Sequence, residues 1–296
     1  MKCFYHRDMD GICAAAIVYN ASFLCQDGIT LETPGMISID YKDTLDLKTI
    51  QPNEKIWIVD FSFKPEVMEE LLKITQDITW IDHHKTAMEY KYSQELKGIR
   101  DNNFSGCELT WKYIHPTKTM PRIVEMSGRY DVWDFSKYGD ELNELQAGIR
   151  LFEHNPENNN WEKWLNNKRE EVNEIFGGGE GILVDGLELL LNEGTVALKY
   201  RNNQYTSLIK AWSFFVDFEG YKAVCCNVGS TSSQLFDSVK EDYDLMIPFV
   251  FDGKQWTVSL YTKKDIDCSE IAKKYGGGGH KQAAGFQCKE LPFTKR

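Results

Sequence analysis

Short, unbroken apolar runs alternate with helix-spaced apolar positions through the first part of the chain. Strands are predicted at residues 3–5, 36–39, 56–59 and 78–81, and helices at 10–25 and 65–74. Ile56-Trp57-Ile58-Val59 is apolar at every position, as expected of a parallel strand covered on both faces. Ala14, Ala15 and Ala16 let the first helix lie close against a sheet, and Pro65 suits the first turn of the second. Strands alternating with helices predict a mostly parallel, doubly wound sheet. From residue 104 to about 200 the spacing is helical. One amphipathic helix is expected over 161–176 and another over 182–200. Gly177-Gly178-Gly179-Glu180-Gly181 between them is expected to be a helix stop or hinge. A phosphate-binding loop would need a preceding strand and a following Lys-Ser/Thr. Beyond about 211, β-branched and aromatic runs at 212–217, 223–228, 246–251 and 256–261 predict strands. Helical segments are expected at 233–240 and 269–275. The expected architecture is α/β in two lobes. An N-terminal doubly wound sheet (1–155) and a smaller C-terminal α/β domain (205–296) are joined by a helical linker (156–204).

Composition adds limits on function. The 296 residues are 42% hydrophobic and 27% charged, an ordinary globular balance that is long enough for two cores. The net charge of −11 repels a long polyanion and suits a small phosphorylated substrate better. The eight cysteines form no CxxC pair, which indicates reduced, buried thiols rather than a zinc site. No signal-peptide core follows Met1 and no run is long enough to span a membrane, so a cytoplasmic protein without membrane contact is expected.

Chemistry gathers at the predicted strand ends. In a parallel sheet, the loops after the strand C-termini line the ligand crevice. His6-Arg7-Asp8-Met9-Asp10-Gly11 follows the first strand, and its alternating His6, Asp8 and Asp10 can aim at one point. A helix cap would account for one of the acids but not for His6. Asp60 ends the strand at 56–59. Asp82-His83-His84 ends the strand at 78–81. Asp131 closes a helix that begins near Pro121, with Asp134 as a rival; Tyr130 and Trp133 are expected to be packing residues. Together these groups offer enough donors for two ions, and imidazole with carboxylate suits Mn²⁺ or a similar ion better than an all-oxygen Mg²⁺ site. Two such ions can share one carboxylate, a role that falls most naturally to Asp60, and can activate a water between them. A fifth element, Tyr275-Gly276-Gly277-Gly278-Gly279-His280-Lys281-Gln282-Ala283-Ala284-Gly285-Phe286, can bring backbone N–H groups and a cation to a phosphate.

These five elements, in this order, resemble the DHH phosphoesterase family with its C-terminal DHH-associated domain, and within it the NrnB-like oligoribonuclease branch. The resemblance covers nearly the whole chain. It implies that His6, Asp8 and Asp60 hold one manganese and that Asp10, Asp60, His83 and Asp131 hold a second, with Mg²⁺ or Co²⁺ as alternatives. It implies that Asp82 orients a histidine ligand from behind, and that His84 contacts the substrate phosphate. His280 and the backbone of Gly277, Gly278 and Gly279 would hold a terminal phosphate or nearby nucleotide. It further implies a metal-binding catalytic domain, a substrate-binding domain and a substrate held between two lobes. The chain departs from many relatives in one stretch, Ser259-Leu260-Tyr261-Thr262, where an arginine is common. Tyr261 can stack on a base or donate one hydrogen bond, but it cannot grip a phosphate bidentately.

The reading that follows is a metal-dependent exoribonuclease or phosphodiesterase that cuts short RNA or linear dinucleotides to nucleoside monophosphates. Alternatives are a phosphatase of 3′-phosphoadenosine 5′-phosphate, a cyclic-nucleotide phosphodiesterase, and a RecJ-like single-stranded DNA exonuclease, the last disfavoured by charge. A non-catalytic nucleotide sensor would show a broken ligand set, and a pyrophosphatase would carry an Arg/Lys cluster in its second lobe. The aromatic content would allow a homodimer face, which no segment places.

Overall fold

The computed structural model describes residues 1–22, 33–172 and 182–293. The chain forms two compact units, Met1–Ala197 and Leu198–Arg296.

The first unit is built on a parallel four-stranded sheet. Strands β1 (Lys2–His6), β2 (Gly35–Ile39), β3 (Ile56–Val59) and β4 (Ile78–Ile81) lie in the order β2-β1-β3-β4. Register places Phe4 beside Ile37 and Ile58, and Val59 beside Ile81. Helices cover both faces, which is why the central strand β3 is apolar throughout. On one face Cys3, Tyr5, Val59 and Ile81 pack under α1 (Met9–Ser22), α4 (Gly106–Ile114) and α5 (Arg122–Asp131). On the other, Phe4, Ile58 and Trp80 pack against Met68, Leu71 and Leu72 of α2 (Pro65–Ile74). The strand order reverses between β1 and β3, which is where such sheets open a ligand crevice at the strand C-termini. A single turn, α3 (Lys85–Met88), follows the Asp82-His83-His84 segment.

Helices α6 (Glu141–Ile149) and α7 (Asn159–Leu165) complete the first core through Leu142, Leu145, Ile149, Trp161 and Trp164. The helix expected over 161–176 stops at Leu165. Asn167 takes a left-handed conformation (φ +50°), and the chain continues as β5 (Arg169–Val172), paired antiparallel with β6 (Ile182–Asp185). The second expected helix therefore begins later, at α8 (Gly186–Trp212), and runs beyond 200. Apolar spacing over so short a stretch does not separate a helix from a strand pair. The expected hinge at Gly177-Gly178-Gly179-Glu180-Gly181 lies outside the described residues.

The second unit is a six-stranded sheet in the order β11-β12-β10-β9-β8-β7. Its strands are β7 (Ser213–Phe218), β8 (Tyr221–Asn227), β9 (Leu245–Phe251), β10 (Trp256–Tyr261), β11 (Gly278–Gly279) and β12 (Ala283–Cys288). β8 and β9 run parallel, and the other neighbours are antiparallel. Helix α9 (Cys268–Lys274) covers one face, and Tyr205, Leu208 and Ile209 of α8 pack on the other. The helix expected at 233–240 is a single 3₁₀ turn, Ser233–Phe236. Trp212 ends α8 rather than opening a strand. The described cysteines are unpaired and, Cys288 apart, buried. No described helix is long and apolar enough to cross a membrane.

Candidate metal centre

The C-terminal ends of β1, β3 and β4 bring His6, Asp60 and His83 together. Asp60 is the centre of the arrangement. It follows β3 with φ +52°, a left-handed conformation uncommon outside glycine, asparagine and aspartate, and is 1% exposed. Its Oδ1 lies 3.1 Å from His83 Nε2 and its Oδ2 3.7 Å from His6 Nδ1. Neither oxygen accepts a hydrogen bond. A buried carboxylate without donors is costly unless a cation satisfies it.

Two groups form around it. In the first, Asp8 Oδ2 stands 2.6 Å from His6 Nδ1, a contact without hydrogen-bond geometry, while Asp8 Oδ1 accepts from Gly11 N–H. In the second, His83 Nε2 faces Asp131 Oδ2 at 3.4 Å and Asp10 Oδ2 at 3.8 Å. His6, Asp8 and Asp60 can thus hold one cation, as can Asp10, His83 and Asp131; Asp60, His83 and His84 converge as well. Every residue expected to be a ligand is in this cluster.

Local structure fixes each of them. Asp10 is buried and accepts from the N–H groups of Gly106 (2.6 Å) and Cys107 (3.0 Å), so it also caps α4 from 96 residues away. Gly106 lies against Asp60, and a Cβ there would come within 2.5 Å of the aspartate's own Cβ. Helix α4 opens with a capping box, Ser105 with Glu108, and Glu108 takes both its oxygens to Arg129 Nη2 at 2.7 Å. Arg129 also reaches Asp134 at 3.4 Å, and Asp134 accepts from the Ser136 N–H and hydroxyl. The two aspartates are partnered differently: Asp134 ties down the turn, and Asp131 faces His83. The capping box was readable in the sequence; the Arg129 pairing, which needs α5 beside α4, was not.

Asp82 is fully buried and saturated. Its Oδ1 accepts from the N–H groups of His83 (2.8 Å) and His84 (3.2 Å) and lies 2.7 Å from His84 Nδ1, and its Oδ2 accepts from the Ser62 hydroxyl. It therefore orients the His84 ring through Nδ1. Trp133, expected to pack, is 70% exposed.

In the second unit, Lys281 and Gln282 close the hairpin between β11 and β12, with His280 N–H bonded to Ala283 O at 2.8 Å. Gly277 and Gly279 pack backbone to backbone; a Cβ on Gly277 would lie 2.1 Å from Gly285 O. His280 is exposed, and half-buried Tyr261 pairs with Ala283 at the same end of the sheet.

Models of two families match the chain: the DHH family N-terminal domain over residues 3–131, and the DHHA1 domain over residues 228–295. The chain carries a DHH family N-terminal domain and a DHHA1 domain. An uncharacterised protein of Acanthamoeba polyphaga mimivirus is 26% identical over 263 residues, which is 82% of this chain and 56% of that protein. The chain thus spans little more than half that relative's length. Oligoribonuclease NrnB of Bacillus subtilis is 26% identical over 302 residues, 95% of this chain and 71% of NrnB. The DHH domain of a member of the s1p family of ribosomal proteins aligns at TM-score 0.60 and 14% identity, covering 97% of this chain and 82% of that one. The pGpG-specific phosphodiesterase PggH of Vibrio cholerae aligns at TM-score 0.51 and 15% identity, covering 98% and 94%. These last two likenesses show the shared fold. The family depends on divalent metal ions, and the clustered acids and histidines could hold such ions.

The electrostatics express the crowding. Burial pushes Asp60 up to about 8 against the pull of His6, and Asp8, Asp131 and Asp82 add to the rise. Burial and the Asp60 and Asp131 charges raise Asp10 as well, and burial raises Asp131. His6 is pushed up to about 10 by its contacts with Asp60 and Asp8. Burial opposes ionisation of Asp8, but His6 outweighs it and the carboxyl sits low. His84 is raised by Asp82. Above the ordinary carboxyl value of 3.8, the unfolded chain has lost the Asp60 proton, which the folded chain keeps until about pH 8. The metal-free fold therefore loses stability as pH rises through that interval. His6 acts in the same direction between its ordinary 6.5 and about 10. We expect the metal-free melting temperature to fall between about pH 5 and about pH 8, and Mn²⁺ to raise it more at the higher pH. Thermal melts in EDTA and in Mn²⁺ at both values check this; equal Mn²⁺ shifts would remove the acidic cluster as the binding site.

Proposed function

We propose that the protein is a manganese-dependent phosphodiesterase that cuts short oligoribonucleotides or linear dinucleotides to nucleoside monophosphates. The observation that carries this reading is Asp60, whose two donor-free oxygens point one to each histidine-bearing group. His6, Asp8 and Asp60 are assigned to one Mn²⁺, and Asp10, Asp60, His83 and Asp131 to the other. When bound, the two ions would acidify a water and neutralise charge that grows on the phosphate oxygens. Residues 1–155 carry this chemistry in our reading, and residues 205–296 bind substrate.

The chain's own residues supply position and charge. Asp82 holds His84 Nδ1, which leaves Nε2 for a phosphate oxygen, and the raised His84 favours the cationic form that such an oxygen attracts. Asp82 itself is too deeply buried to touch substrate, so its role is to position. Gly277, Gly278, Gly279 and His280 are assigned to a substrate phosphate, with Tyr261 contributing a ring or a hydroxyl donor. NrnB is by name an oligoribonuclease and PggH a pGpG-specific phosphodiesterase, which supports short RNA and dinucleotides as the substrate class. The net charge of −11 supports it as well, since a long strand would meet repulsion beyond the metal ions.

Asn at position 60 keeps the shape and tolerates the left-handed backbone. Asp60→Asn is expected to lower Mn²⁺-dependent hydrolysis by more than about 100-fold, while leaving the metal-free melting temperature at pH 8 equal or higher, because a buried charge is gone. Activity within tenfold of the parent protein would sink the bridging role.

Length dependence tests the substrate class. With 5′-labelled RNA from 2 to 24 nucleotides in Mn²⁺, and EDTA as control, the rate should fall steeply beyond about five nucleotides. Equal rates at every length would indicate an open, RecJ-like exonuclease. Silence at every length would move the assignment to mononucleotide or cyclic-nucleotide substrates.

A further inference from the structure

Helix α5 ends in a way that its sequence does not favour. The Asp134 N–H bonds to Arg129 O at 2.8 Å and the residue between them and the cap, Trp133, has φ +59°. This is the helix-ending motif whose left-handed position normally takes glycine. A bulky side chain is disfavoured there. The ring does not recover that cost by burial, because Trp133 is 70% exposed. Phe135 and Tyr130 meet it at steep angles, with ring centres at 5.0 and 5.7 Å, which holds its orientation. Strained backbone that carries an exposed ring two residues from Asp131 points to a function.

A second exposed ring stands beside the other ligand group. Tyr41 follows β2 and is 49% exposed. Its ring centre lies 5.8 Å from that of His6 and 6.0 Å from that of His84, and Phe61 backs it at 4.9 Å. Tyr41 forms one wall of a cavity of about 500 Å³ whose lining includes Phe61, Phe63, Lys42 and Lys64. That volume is within the range of small-molecule sites.

We propose that Tyr41, beside His6 and His84, and Trp133, two residues along the chain from Asp131, are base-stacking platforms, which hold the two bases flanking the scissile phosphate of a dinucleotide. The inference rests on the phosphodiesterase reading and adds how the substrate is gripped. Aromatic faces accept any base, and they attract where net negative charge does not. Preference for a dinucleotide follows from having two rings. The cavity beside Tyr41 carries Asp40, Asp43, Glu66 and Glu70 as well as Lys42 and Lys64, so the grip assigned there is the ring's and not a cation's.

Equilibrium dialysis of radiolabelled diadenylate tests this, in Ca²⁺ under conditions where chromatography shows it intact. Tyr41→Ala and Trp133→Ala should each weaken binding roughly 5- to 150-fold, the range for loss of one stacked base. Tyr41→Phe and Trp133→Phe, which keep a ring, should stay within about threefold. A diadenylate lacking one base should bind the parent protein more weakly by a similar factor, and one of the alanine variants should no longer distinguish it from the intact dinucleotide. Alanine variants that bind like the parent, or a parent that does not bind diadenylate, would overturn the platforms. A parent that binds it through these rings yet hydrolyses nothing in Mn²⁺ would overturn the phosphodiesterase reading and leave the platforms standing.

Discussion

A single carboxylate, buried and without a hydrogen-bond donor, sets the terms for the first unit. Neither Asp60 oxygen accepts a hydrogen bond, only the His6 and His83 rings face them, and its backbone is held in a conformation that most residues avoid. Packing holds it there. β3 lies between β1 and β4, so the ends of three parallel strands emerge side by side, and Gly106 presses backbone against the Asp60 side chain. Replacing that glycine would move the carboxylate, which faces both His6 and His83.

The rest of the site follows from the same conflict. Four aspartates around two histidines cannot all be ionised without a cation, and the raised Asp10, Asp60 and Asp131 carboxyls are the form this takes in the metal-free protein. Against this, a second network satisfies its own charges completely. Glu108, Arg129 and Asp134 pair with one another and with helix ends, and they tie α4 to α5. The chain therefore separates two kinds of acid. Asp82, Glu108 and Asp134 are saturated by protein donors and hold the frame. Asp8, Asp10, Asp60 and Asp131 fall into two adjoining groups with His6 and His83, either of which could hold a cation.

Much of this was legible in the sequence, for a physical reason. β3, α2 and β4 have the bounds that their residues predict, since a parallel strand buried on two faces is unbroken in its hydrophobicity and Pro65 marks a helix start. The clustering of His6, Asp8, Asp10, Asp60, His83 and Asp131 was legible because each sits at a strand end or a helix end, where chain geometry brings it to the crevice. The hairpin of β5 and β6 was not legible: its apolar residues match a helical spacing, and strand pairing is a long-range fact. The partners of Glu108 and Asp134 were hidden for the same reason. Trp133 was misread because a tryptophan is usually buried, and only the left-handed helix end reveals that this one faces outward.

A stability argument links the frame to the ligand. The chain keeps an unpaired buried acid at 60 and a strained, exposed tryptophan at 133, and each is worse for the isolated fold than an available substitute. Asparagine would remove the first cost and glycine the second. Their presence is accounted for if the stable species is the bound one: cations complete Asp60, and a stacked base covers Trp133. The acidic surface then acts in favour of selectivity. In the proposed reading, a net charge of −11 leaves attraction for a nucleic acid to the metal centre and its flanking rings. In that reading a phosphodiester with one nucleotide on each side takes that attraction, and each further phosphate adds mainly repulsion.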